Sequence, residues 1–128
     1  MGHVYTEITL KNPRRADLDG IAARALVDTG AHTLCIPEHI ALQLDLDLAS
    51  GQPREVTLAD GRRRSVPYAG PIEVSFDKRN CFVGALVMGD EVLLGAVPME
   101  DMDLVVSPAR NSVIINPDFP NFPHALVK

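Results

Sequence analysis

The sequence predicts an all-β fold with one or two short helices, and three observations lead to it. Short apolar stretches recur along the chain, and several alternate apolar with polar residues at the period of a half-buried strand. Turn-forming residues separate them about every 8 to 12 positions, a rhythm that suits a sandwich or barrel better than alternating α/β units. Only two short stretches read as helical. At 128 residues, with 46% hydrophobic and 23% charged residues, the chain is expected to form a single domain over 1–128, with a Pro-rich tail over 116–128.

Taken in order, Val4 to Leu10 alternates apolar and polar residues until Asn12-Pro13 ends the strand. Ile21 to Val27 is more uniformly apolar, a buried strand that stops at Asp28-Thr29-Gly30. Strand character resumes at Leu34-Cys35-Ile36. Pro37 then suits the first turn of a helix over about Glu38 to Leu44, with Ile40, Ala41 and Leu44 on one side. Glu55 to Leu58 and Arg64 to Tyr68 flank Ala59-Asp60-Gly61, whose Asp-Gly pair predicts a projecting hairpin. Strands are expected at Pro71 to Phe76 and Cys81 to Met88, joined by a turn over Asp77 to Asn80. Val92-Leu93-Leu94 is an apolar strand closed by Gly95, and Pro98 to Met102 reads as one acidic helical turn. Leu104 to Ser107 and Ser112 to Asn116 make a last strand pair.

Charge and composition exclude several function classes. A net charge of -5 and a single basic run, Arg62-Arg63-Arg64, leave no footprint for a nucleic-acid backbone. No apolar run reaches membrane-spanning length and no secretory signal opens the chain, so the expectation is a soluble cytoplasmic protein without a membrane partner. Two cysteines, Cys35 and Cys81, sit in apolar settings and do not indicate a disulfide framework. The acidic Glu100, Asp101 and Asp103 lack the loop spacing of a calcium site and read as a solvated helix face, so neither metal nor cofactor is expected.

The chemistry concentrates in Ala25-Leu26-Val27-Asp28-Thr29-Gly30-Ala31. A carboxylate delivered by a buried strand is costly unless it is neutral or shares a proton with a second group. Two carboxylates about 3 Å apart hold one proton between them, so that one acts as base toward water and the other as acid toward a carbonyl. Asp-Thr-Gly alone is also good turn chemistry, so its context matters.

That context resembles the retroviral-type (retropepsin-like) aspartic protease family. The likeness rests on ALVDTGA around Asp28, the hairpin at Thr57 to Arg64, and Leu93-Leu94-Gly95 followed by a helical turn, which together span about residues 20 to 106. It implies a closed barrel forming half of an acid protease. Asp28 would be the catalytic carboxylate, Thr29 would hydrogen-bond across a dimer, and Gly30 with Ala31 would line the active-site loop. Ala59, Asp60 and Gly61 would form the flap over substrate, and Leu93, Leu94 and Gly95 would close a psi-shaped loop. Only one Asp-Thr-Gly occurs, so the resemblance implies a homodimer cleaving a peptide or protein substrate.

The sequence also departs from the viral pattern. His32 and Thr33 stand where acidic residues usually follow, and the hairpin is less Gly-rich than a viral flap. His32 either adds a pH-dependent charge beside the site or is an ordinary loop histidine. The dimer contact made by interleaved chain ends in viral relatives falls here either to Val113-Ile114-Ile115 or to the tail, whose prolines at 117, 120 and 123 interrupt any strand. These departures keep a second reading open, a dimeric module that binds peptides without cutting them. A structural dimerisation domain is a third.

Overall fold

The computed structural model describes residues 2–127. In chain order its elements are β1 (Tyr5–Lys11), β2 (Ile21–Val27), β3 (Leu34–Ile36), α1 (Glu38–Gln43), β4 (Arg54–Thr57), β5 (Arg63–Val66), β6 (Tyr68–Phe76), β7 (Arg79–Val87), β8 (Val92–Leu94), α2 (Ala96–Asp101), β9 (Leu104–Ser107) and β10 (Ser112–Ile115). Six strands close into a barrel in the order β1-β2-β8-β3-β7-β6, while β4 with β5 and β9 with β10 form two separate two-stranded sheets. The expected mostly β fold with two short helices is the one observed.

Side-chain parity builds the barrel interior. Along β6, Ile72 and Val74 point inward and are fully buried, and along β7 the inward set is Arg79, Cys81, Val83, Ala85 and Val87. Leu10, Leu34, Ile36 and Leu94 complete the centre, all at 0% exposure. Each such aliphatic side chain contributes roughly 1.5 to 3 kcal/mol by leaving water. Parity also determines what stays outside, and Phe82, between two inward residues, remains 59% exposed. Cys35 and Cys81 are free and buried. Burial raises the Cys81 thiol to about 12, with a further push from the charge of Asp101.

The C-terminal end of α1 is closed by a neighbour. Ile40 and Ala41 bury its inner face. At its C-terminus, where carbonyls lack helical partners, the buried Asn12 side chain donates to the Leu44 carbonyl at 2.9 Å. Asn12 therefore ties the end of β1 to the helix as well as ending the strand.

Several element boundaries differ from the sequence expectation. The second hairpin arm ends at Val66, because Pro67 interrupts the ladder, and Tyr68 opens a long β6 that continues through Phe76. Pro71 is accommodated inside that strand where the register with β7 shifts between Ala69 and Ile72. The β6–β7 turn is tightened to Asp77-Lys78, with Asp77 in the left-handed region at φ 52°. The acidic helical turn begins earlier than expected, at Ala96. Among the described residues no helix is long and apolar enough to cross a membrane.

Candidate active site

Strand β2 carries buried Ala23 and Ala25 to the barrel rim and ends at Val27, so the next residue, Asp28, leaves the sheet at a half-buried position. Its own backbone N–H donates to the Leu94 carbonyl at 3.0 Å. Its carboxylate Oδ1 accepts the Gly30 N–H at 3.0 Å, and its carbonyl accepts the Ala31 N–H at 3.0 Å. These two bonds fold Asp28-Thr29-Gly30-Ala31 into a tight turn of the kind aspartate favours. Thr29 and Gly30 are exposed beside the carboxylate.

The second half of the loop is fastened to the β8–α2 junction. Ala96 N–H donates to the Ala31 carbonyl at 2.9 Å and Val97 N–H to the His32 carbonyl at 2.9 Å. The buried Thr33 hydroxyl donates to the Gly84 carbonyl at 3.2 Å, so the loop is also bound to β7. Gly95 is where the two segments meet most closely. A Cβ there would lie 2.2 Å from the Thr33 carbonyl oxygen and 2.7 Å from that of Ala31, which no side chain tolerates against backbone.

Strand β8 itself runs between the two strands that flank the loop. It is parallel to β2, with Leu26 opposite Leu93 and Val27 opposite Leu94, and antiparallel to β3, with Cys35 opposite Leu93. Leu93-Leu94-Gly95 therefore passes through the gap between the strands entering and leaving the Asp28 turn. Burial raises the Cys35 thiol above its ordinary range, and the negative charge of Asp28 adds to the rise.

Ala59, Asp60 and Gly61 form the tip of the β4–β5 hairpin. Gly61 adopts φ +87°, a left-handed conformation that glycine supplies without strain, and the tip closes with a Leu58 N–H to Arg62 carbonyl bond of 2.7 Å. The Asp60 carboxylate accepts the Arg62 backbone N–H at 3.0 Å and its guanidinium Nε at 2.6 Å, so its charge serves the turn. Below the hairpin, a cleft of about 470 Å³ is lined by His32 and Thr33 from the Asp28 loop, Arg54 and Glu55 from β4, and Tyr68 and Gly84 from the barrel. The Arg54 guanidinium stacks 4.0 Å above the Tyr68 ring. Asp28 itself is not among the residues that line this cleft.

The structure thus brings together Asp28, Thr29, Gly30 and Ala31 with Leu93, Leu94 and Gly95, while Ala59, Asp60 and Gly61 stand apart at a hairpin tip whose hydrogen bonds are internal. The sequence does not single out Arg79, and it places Asp103 on a solvated helix face, whereas the Asp103 carboxylate accepts bonds from Asn116 and His124. Arg79 is 3% exposed and donates to the Met102 carbonyl at 2.8 Å and to the Phe119 carbonyl, so it holds the tail. Its inward parity emerges only with β7 extended back to Arg79, a residue the sequence reads as part of a turn. Among the described residues no group of three or more His, Cys, Asp or Glu side chains could hold a metal ion.

Comparison with curated proteins gives no match. A family model described as aspartyl protease matches residues 15–117, a span that contains the Asp28 turn, the β4–β5 hairpin, the β8–α2 junction and the β9–β10 sheet. With the greater part of its length matched and its barrel arranged around an Asp-Thr-Gly turn, the chain belongs to the aspartyl protease family.

Proposed function

We propose that this chain is an aspartic endopeptidase that works as a homodimer, each subunit contributing one Asp28 to a shared site. The observation that carries this reading is a half-buried carboxylate on a hydrogen-bonded turn, with Thr29 and Gly30 exposed directly after it. One subunit offers one such carboxylate. An isologous pairing sets identical residues opposite each other, so two Asp28 side chains would meet at a two-fold axis.

The surface around the turn is consistent with such a partner. Thr29 shares a cleft of about 380 Å³ with Met99, Val105 and Val106, so the turn and the outer side of β9 lie on one face. The β9–β10 sheet has only two strands, and Val106 is 37% exposed. A second copy would cover that apolar surface and extend the sheet. In this reading residues 1–128 act as one protease domain, with 116–128 as an appended tail.

In the assembled site the two carboxylates would share one proton. The ionised member takes a proton from a water held between them, and that water attacks the peptide carbonyl. The protonated member donates to the carbonyl oxygen, giving a neutral diol that collapses with proton transfer to the leaving amine. Ala59, Asp60 and Gly61 would cover the extended substrate, and Leu93, Leu94 and Gly95 hold the Asp28 turn at its base. A second reading, a dimeric module that binds peptides without cutting them, draws on His32 and Thr33 after Ala31 and on Arg54 at the cleft.

The test is cleavage of a mixed peptide library at mildly acidic pH by the intact chain and by Asp28→Asn, with a statine-type inhibitor as control. Cleavage that the substitution abolishes and the inhibitor blocks is the expected result. A stable dimer that binds peptides but leaves them uncut would favour the second reading.

A further inference from the structure

The C-terminal tail is held against the barrel by specific bonds. Arg79 reaches from the barrel interior to the Phe119 carbonyl, and the Phe119 ring stacks on His124 with 4.1 Å between centroids. Asp103, in a left-handed conformation at φ 54°, accepts the Asn116 side-chain N–H at 3.1 Å and the His124 backbone N–H at 3.0 Å. Ala125 and Leu126 thereby border, with Phe82, Val83 and Val97, a second, open cleft of about 720 Å³.

This second cleft continues the one beneath the flap. Phe82, Val83 and Val97 line both, so a single surface runs from His32 and Arg54 beside the Asp28 loop out to the tail. Its floor is apolar, and Phe82 is left 59% exposed on it. Its far rim carries Glu100 and Asp101, for which no ion-pair partner stands within reach among the described residues. Leu126 projects from the tail with its side chain uncovered, at 92% exposure.

Resting on the proteolytic reading above, we propose that the docked segment His124 to Leu126 is the outer wall of an extended substrate groove. It selects peptides that carry, beyond the residues gripped under the flap, an apolar side chain next to a basic one. The apolar side chain would pack between Phe82 and Leu126, and the basic one would meet Glu100 and Asp101. Continuity with the flap cleft and the sign of the rim charge both point to an extended peptide as the occupant.

The experiment compares a short peptide with the same peptide lengthened by a Leu-Lys pair. Three proteins are used: the intact chain, a chain ending at Pro123, and Leu126→Ser, an exposed site outside the flap cleft whose change leaves the core intact. The expected result is a KM for the long peptide raised about fivefold in both variants, with kcat and the short peptide unaffected. Equal KM values for the long peptide in all three proteins would overturn the proposal, as would equal losses on both peptides or faster turnover after truncation. If the intact chain cuts neither peptide, the proteolytic reading fails separately. Fluorescence anisotropy of the labelled long peptide then decides the wall, which stands if truncation weakens binding and falls if it does not.

Discussion

The Asp28 turn and the β4–β5 hairpin are both exposed connections, yet they are fixed in opposite ways. The turn is bonded on both sides to other parts of the chain, through Leu94, Ala96, Val97 and Gly84, and Gly95 meets its backbone with no room for a side chain. The hairpin forms a sheet of its own, and the bonds at its tip join Leu58, Asp60, Gly61 and Arg62 to one another. A group that must sit within a fraction of an ångström of its target belongs on the first kind of connection. A cover that must admit and release a chain belongs on the second.

The sharpest way to break this contrast is at Gly95. Gly95→Ala forces a methyl into the Thr33 and Ala31 carbonyls, and the expected cost is about 3 kcal/mol of stability, with loss of cleavage even in whatever fraction stays folded. Thermal or urea unfolding measures the first and a peptide assay the second. A variant as stable and active as the parent would mean the turn is far less confined than its contacts require.

The tail lies between these extremes, tied down but only at a few points. Replacing Arg79 by Met leaves the Met102 and Phe119 carbonyls without their charged donor, and stability should fall by about 2 kcal/mol. Faster hydrogen exchange over residues 117–127 would accompany it. Acid should release the tail by a different route. The His124 N–H, then the Asn116 side chain, hold the Asp103 carboxyl below its ordinary range, with the charge of Arg79 adding to them. A depressed carboxylate favours docking above its unfolded value of about 3.9 and loses that favour as pH falls through the lowered one. The tail should therefore stay docked down to about pH 4. Release already between about pH 6 and about pH 5 would contradict this assignment.

The smallest effect is expected at the hairpin tip. Asp60→Asn removes an exposed ion pair with Arg62, so stability should change by no more than about 0.5 kcal/mol, with any functional effect confined to KM. A large stability loss there would show that the hairpin is docked more firmly than its bonds indicate.

What the sequence made legible follows the same division. Strands set by alternation, such as Ile72 and Val74 of β6, were readable because burial enforces period 2. The importance of Gly95 was readable through resemblance, but its physical reason, two carbonyls within contact distance, depends on residues more than sixty positions away in sequence. Arg79 was hidden because it falls in a stretch that reads as a turn; only after β7 is extended back to Arg79 does its parity turn it inward. The pairing of Asp103 with His124 joins a left-handed residue to a proline-rich tail, a contact that no local pattern encodes.

Catalysis that needs two Asp28 carboxylates from two subunits must respond to subunit mixing in a fixed proportion. Equal amounts of the intact chain and Asp28→Asn are allowed to exchange at fixed total protein, and peptide cleavage is measured. If both carboxylates are required and subunits pair at random, activity falls to about a quarter of that of the intact chain alone. A fall to only about half would mean that each subunit works by itself, and the account of a shared site would be wrong.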